Sequence, residues 1–461
     1  MNIDIPNQIP QITRKESGFD RRIKDLVFNG LPIDRAPDIV VAPQTEQEVV
    51  DVVRAARAAG QKVAVISGGH NWIATSVKDQ GVLIDMSAFD RVKVDAASRT
   101  AWVGPAVRSG ALIEALAVDD LAFPAGHCST PGFAGYMLGG GLGFNWGRWK
   151  PACYSLRSVR MVTAAGELIV ASESENPELL WLARGAGPGF PAVITDMEIE
   201  LQDRPADMRV SAWVFELDDL AAVSRWVSEA SPSLPLTVEV TTAAVGPERT
   251  DFLPSEGFPD HVVIVTAMVF ADDGEEAREA VEPLAAGPGT EVLAHHDLIA
   301  VPFEKMQKTL ALDAGFPEGH CYVGEPFWTD RDVEVLVPLK EAVLTAPSGK
   351  SYVMALMPGN GSKLGLPVED AVYSMDERTL VMAYAVFQDP AAEEANRAWI
   401  SGVRTLLEPI ATGQPVAEAD LDAHPDRMAG CFTPANWKRL LALRAQWDPD
   451  EFFHGLPGQR R

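Results

Sequence analysis

The sequence predicts an α+β protein of more than one domain, and three observations carry that reading. At 461 residues the chain exceeds the roughly 250–300 residues at which a single hydrophobic core stops growing. Its first two hundred residues interleave short strands with helices and glycine-rich turns. From about residue 206 the texture changes to longer strands, "MRVSAWVFEL", "LTVEVTTAA" and "HVVIVTAMVFA", separated by helices such as "DLAAVSRWVSEA". Alternating strands interleaved with amphipathic helices are the pattern of an antiparallel sheet covered by helices.

Taken in order, "TEQEVVDVVRAARAAG" sets Thr45 three residues before Glu48 and puts Val49, Val52, Val53 and Ala56 on one face, which predicts a capped helix ending at Gly60. A four-residue strand over 63–66 runs into a glycine turn, and "GVLIDMS" predicts a second short strand. "VRMVTAAGELIVAS" reads as a hairpin turning at Ala165 and Gly166, and "AVITDMEIEL" as a half-buried strand. The tail from about 425 is helical over "PANWKRLLALRAQW" and closes with "DPDEFFHG".

Composition narrows the class of partner. With 47% hydrophobic and 23% charged residues the chain is ordinary globular material. A formal charge of −26 disfavours nucleic acid and anionic membranes, which attract basic patches, and favours a small-molecule substrate. No apolar run approaches the roughly 18 residues of a membrane span, and "MNIDIPNQIPQITRKESGFD" has no secretory pattern, so a cytoplasmic location is expected. Cys128, Cys153, Cys321 and Cys431 are widely spaced, without a C-x-x-C pair. That argues against a disulfide framework and a zinc site; no metal is expected, and His295 and His296 read as part of a solvated loop.

Two glycine-rich segments need a chemical reason. In "VAVISGGHNW" the residues Ser67, Gly68, Gly69, His70 and Asn71 can curl successive backbone N–H groups around an anion. "PAGHCSTPGFAGYMLGGGLGFNWGRW" has a glycine density that costs chain entropy without filling a core, which is explained by backbone packed against a flat ligand. It is neither a dinucleotide fingerprint, since the frame begun at Gly139 reaches Phe144 where the last glycine belongs, nor a P-loop, which needs G-K-[ST].

A histidine beside one such turn and a cysteine beside the other complete a pattern that resembles the FAD-linked oxidases of the vanillyl-alcohol oxidase and berberine-bridge-enzyme superfamily. The matching stretches are "SGGHN", "AGHCSTPGFAGYMLGGGLGFN", "WKPAC", "VTAAGEL", "ENPELLWLARGAGPGF" with "VIT" after it, and "DPDEFFHG". The resemblance implies a two-subdomain FAD-binding domain of the PCMH type over residues 1–205, with its core from about 35. A substrate-binding domain over 206–424 and a C-terminal segment, 425–461, returning to the FAD-binding domain would follow.

It also implies covalent FAD, with His70 joined to the 8α-methyl of the isoalloxazine and Cys128 to its C6 carbon. Ser67, Gly68, Gly69 and Asn71 would face the pyrophosphate, Gly132, Gly135 and Tyr136 the flavin or ribityl chain, and Val193 and Ile194 the adenine end. The glycines of "RGAGPGF" and Trp181 read as turn and packing residues.

The implied activity is hydride abstraction from an alcohol, sugar, alkaloid or natural-product intermediate, with molecular oxygen as acceptor. A dehydrogenase using another acceptor, and a flavin-binding scaffold without turnover, stay open. Pro131, three residues after Cys128, stands where relatives often place a residue that governs oxygen access. The "YFGxN"-like stretch, in which many relatives carry a tyrosine, reads "CFTPAN" here. A base is therefore sought in the substrate domain, at Tyr322, Glu325 or Tyr352.

Overall fold

The computed structural model describes residues 3–249, 257–310, 312–361 and 363–456; both extremities of the chain, residues 1–2 and 457–461, lie outside them. Each helix and strand named above forms. Helix Glu46–Ala58 starts at Thr45, whose side chain accepts from the Glu48 N–H. The Glu48 carboxylate reaches back to the N–H of Gln44 rather than to that of the cap itself, so the box closes one residue early.

Among the described residues, three large sheets and one two-stranded pairing of 121–122 with 202–203 organise the molecule. The first is four-stranded and contains Val63–Ile66 at one edge, parallel to Val82–Asp85, which is parallel in turn to Ile39–Val41. The second has five antiparallel strands in the spatial order 92–95, 100–103, 192–200, 156–163 and 168–172. Its hairpin turns through Gly166 at φ +74°.

The third sheet has seven strands, all antiparallel, in the order 294–300, 207–216, 262–271, 238–245, 352–358, 379–387 and 321–329. Because strand side chains alternate between faces, one face takes Trp213 and Phe215 against Trp226 of helix Leu220–Ala230. The other face presents Val210, Ala212 and Val214 to a cavity. His295 and His296 lie on the edge strand Ala294–Ala300, not in a loop. His295 stacks on Trp213 at 5.0 Å, an aromatic contact that gives the edge strand a partner the sequence pattern did not reveal.

The C-terminal helix Pro434–Trp447, capped by Thr433, returns the chain to the first sheet. Asp448 accepts from the N–H groups of Phe452 and Phe453, and the N–H of His454 donates to the carbonyl of Val63 at 2.9 Å. The stretch "DPDEFFHG" thus backs the strand that carries the "SGGHNW" turn.

Candidate active site

A cavity of about 760 Å³ opens between the two glycine turns and the seven-stranded sheet. Ser67, Gly68, Gly69, His70 and Asn71 line it from one turn and Cys128, Gly132, Gly135 and Tyr136 from the other, with Ile194 beside them. Val193 is the exception. On the strand Ala192–Glu200 it alternates with Ile194, so its fully buried side chain packs in the core under helix Glu46–Ala58 instead of facing the cavity. Tyr136 lines the cavity with its ring, but its hydroxyl donates to the carbonyl of Pro124.

The turns meet backbone to backbone. A Cβ on Gly68 would lie 2.4 Å from the nitrogen of Gly132, and one on Gly69, at φ +62°, would lie 1.8 Å from the carbonyl oxygen of Leu26. The guanidinium of Arg108 ties the pair by donating to the carbonyls of Gly68 at 2.7 Å and Thr130 at 2.6 Å. Gly68→Ala should therefore cost about 1–3 kcal/mol of stability through overpacking. A Cβ on Gly135 meets nothing within 4 Å and this residue lies inside a helix, so Gly135→Ala should be neutral or stabilise by up to about 1 kcal/mol. Denaturant titration of the two variants checks both signs.

His70 is held without using all of its ring. It stacks on Phe28 at 4.3 Å, and its Nε2 is buried with no hydrogen-bond partner. Burial and the nearby Arg108 charge bring its pKa down to about 4, so the imidazole is neutral at physiological pH. A buried nitrogen with no partner beside a cavity is a group that a ligand atom can satisfy.

The Cys128 loop is fixed by side chains far away in the sequence. Gln307 donates to the carbonyls of Gly126 and Cys128 at 2.8 and 3.0 Å. Asp313 accepts from the N–H and hydroxyl of Ser129 at 2.8 and 2.6 Å. Cys128 is half-buried, carries no disulfide, and lies near enough to the phenols of Tyr322 and Tyr384 to influence their ionisation. Its neighbour His127 contacts Glu239 of the strand Val238–Val245 at 2.5 Å. Burial disfavours the imidazolium, yet the Glu239 carboxylate outweighs it and the net pKa is raised.

Of the three candidate bases, two face this cavity. Tyr352 lines it from the strand Tyr352–Pro358. Tyr322 lines it as well, but its hydroxyl donates to the carbonyl of Pro317. Glu325 does not face it. Its carboxylate binds Arg427 at 2.7 Å and Arg404 at 3.5 Å beside a separate small cavity. Strand alternation accounts for this, because Glu325 lies three residues from Tyr322 and so points to the opposite face.

Two cavity residues escaped the sequence reading. Tyr384, on the strand Thr379–Phe387, donates its hydroxyl to the carboxylate of Glu418, and both line the cavity. The ring of Tyr384 sits 5.4 Å from that of Tyr352 and 5.1 Å from Phe316, which is 6.3 Å from His70. A Cβ on Gly324 would fall 2.8 Å from the Tyr384 ring, so that glycine makes room for the phenol. Glu418 is aimed by the "SGGHNW" turn, since Asn71 donates to the carbonyl of Ala417 at 2.6 Å and the Trp72 indole to that of Glu418 at 2.7 Å. Burial raises the Glu418 pKa, opposed by the Tyr384 hydrogen bond and the charge of His127.

The pair was invisible in the sequence because 34 residues separate its members, and "PVAEAD" carries no motif. Cys431 and Phe432, which stand where relatives often carry a tyrosine, are buried in the core. Among the described residues no helix is long and apolar enough to cross a membrane.

Comparison with known proteins bears on the fold and on the class of cofactor. Residues 37–172 fit the family model described as an FAD binding domain. An FAD-linked oxidoreductase of Penicillium janthinellum is 26% identical over 93% of this chain and 92% of its own. The (R)-6-hydroxynicotine oxidase of Paenarthrobacter nicotinovorans is 27% identical over 95% and 93%. Among solved structures, 6-hydroxy-D-nicotine oxidase from Arthrobacter nicotinovorans superposes with a TM-score of 0.84 at 22% identity, covering 98% of both chains. A berberine bridge enzyme variant superposes with 0.84 at 17%, covering 99% of this chain and 98% of that one. The chain therefore carries an FAD-binding segment, is similar along most of its length to FAD-linked oxidoreductases, and shares the two-subdomain fold of 6-hydroxy-D-nicotine oxidase and berberine bridge enzyme.

Proposed function

We propose that this protein is an FAD-dependent oxidase with its cofactor held covalently through His70 and Cys128, acting on a small organic substrate. The observation that carries the reading is the pair of facing glycine turns, clasped by Arg108, that bring a neutral imidazole with an orphaned Nε2 and a half-buried thiol to one cavity. When bound, FAD accepts a hydride from a substrate C–H bond and passes the electrons to molecular oxygen, giving hydrogen peroxide.

The chain's own residues do the rest. Ser67, Gly68, Gly69 and Asn71 offer backbone to the pyrophosphate, and Gly132, Gly135 and the ring of Tyr136 line the flavin side. Tyr384 and Glu418 take the substrate's O–H or N–H proton. As a substrate proton reaches the Tyr384 oxygen, the phenolic proton passes to the Glu418 carboxylate, so neither group carries an unpaired charge in a dry site. Tyr352, ring to ring with Tyr384, orients it. A tyrosine hydrogen-bonded to a carboxylate in the cavity favours turnover over a scaffold role. Glu325, held by two arginines, has no part in the proposal.

Pro131 lines the same cavity and bears on oxygen. Its compact ring leaves a path for oxygen that a longer aliphatic side chain would fill. Pro131→Leu is expected to slow reoxidation in air while anaerobic reduction by substrate stays nearly unchanged, and stopped-flow measurement of both half-reactions checks it. If Pro131→Gly instead creates rapid reoxidation in a protein that had almost none, the native enzyme is a dehydrogenase. A cytoplasmic location belongs to the same reading and is tested by fractionating the source cells. The function as a whole is tested by a substrate screen for peroxide, in which the purified protein should turn over at least one alcohol or amine with peroxide release.

A further inference from the structure

The wall of the cavity opposite the glycine turns is ordered in rows across the seven-stranded sheet. Ala212, Thr266, Thr241 and Leu356 are cross-strand neighbours in one row. Val214, Ile264, Ala243, Met354 and Met382 form the next. Beyond these, Val245 neighbours Tyr352, which neighbours Tyr384. All of them line the cavity, and among the described residues no lysine or arginine of this sheet does.

Two threonines aside, the wall's polar groups lie at its margins: Tyr352, Tyr384 and Glu418 at one end, His127 with its partner Glu239 at the other, and His296 beside Ala212 on the edge strand. Between them the wall offers two threonine hydroxyls amid alanine, valine, isoleucine, leucine and methionine. Such a surface does not solvate a polyhydroxylated ligand. Each sugar hydroxyl would lose its water and gain no partner, whereas an apolar body loses nothing polar and releases water from both surfaces. With no cation on the wall and a carboxylate at the reactive end, an anionic substrate is disfavoured as well.

Resting on the flavin-enzyme reading above, we infer that the substrate is an uncharged, largely apolar alcohol. Its hydrocarbon body lies along the Ala212–Leu356 and Val214–Met382 rows and its one reactive hydroxyl meets Tyr384. The step balances: the hydroxyl proton passes through Tyr384 to Glu418, the carbinol hydrogen leaves as hydride to FAD, and the product is the carbonyl compound.

The test uses the full flavin-loaded protein, reduced beforehand with dithionite under nitrogen so that binding proceeds without turnover. Calorimetric titrations with cinnamyl alcohol and geraniol are compared with cellobiose at several temperatures. The apolar alcohols should bind with a negative heat-capacity change, the mark of buried apolar surface, and cellobiose should give no saturable heat. Ala243→Phe, which fills the wall, should weaken alcohol binding at least about tenfold, and Met354→Gln, which keeps the volume but adds an amide, should weaken it in the same direction.

Cellobiose binding as tightly as the alcohols, failure of both alcohols to bind, or alcohol binding indifferent to both substitutions would each overturn the inference. Acid-precipitated protein from the same preparation separates the two levels. A colourless pellet sinks the covalent-flavin reading, whereas a yellow pellet with cellobiose preferred sinks the substrate class alone.

Discussion

Replacing Tyr384 by Phe is expected to slow anaerobic reduction of the flavin by substrate by roughly 10²-fold or more, the usual effect of losing a general base. The ring, its contacts with Tyr352 and Phe316 and the space left by Gly324 all survive the change, so only the hydroxyl shared with Glu418 is lost. Glu418→Gln should slow the same step, since an amide cannot take up the proton. In the native protein the rate should rise with pH through a pKa above the usual carboxylate range. Glu418 must be ionised to accept, and burial raises its pKa. That limb should vanish in Glu418→Gln. Equal rates in all three proteins would show that the proton goes elsewhere, with Tyr352 the next group to substitute.

The former candidates provide contrasts. Tyr322→Phe removes a hydrogen bond to the Pro317 carbonyl and should change the reduction rate by less than about tenfold, below the effect of losing a base. Glu325→Gln leaves Arg427 and Arg404 facing a neutral amide in a buried setting. Breaking such a pair costs about 3–5 kcal/mol, so its signature should be a lowered unfolding midpoint.

The second large effect concerns attachment. Cys128→Ala should keep FAD bound through His70, with a lower reduction potential and slower reduction by substrate, because the thioether no longer withdraws electron density from the ring. His70→Ala should leave FAD attached through Cys128 alone, again with a lower potential. The double variant should release all of its flavin on acid treatment. Potentiometric titration reads the first two outcomes, and unchanged potentials would remove the electronic role assigned to the linkages.

Much of this was legible along the chain because it is local. The capped helix after Thr45, the hairpin at Gly166 and the glycine turns around His70 and Cys128 each depend on residues within a few positions of one another. Their chemistry is written in contiguous motifs. Strand alternation separated Ile194 from Val193 and Tyr322 from Glu325, and it becomes decisive only once the cavity face of each strand is known.

The clasp and the base were not legible for a different reason. Arg108, Gln307 and Asp313 hold the Cys128 and His70 turns from positions up to 184 residues away. Tyr384 meets Glu418 through a loop whose backbone is pinned by Asn71 and Trp72, 346 residues earlier. Contacts of that range are set by how the sheets pack, and a single sequence carries no periodic signal of them.

The central claim, one FAD joined to two side chains, is tested most directly by acid precipitation of the native protein followed by proteolysis and mass spectrometry. The expected result is a yellow pellet and a single flavin-bearing species in which the peptide containing His70 and the peptide containing Cys128 are linked through the same FAD. A colourless pellet, with both peptides recovered at their unmodified masses, would contradict it.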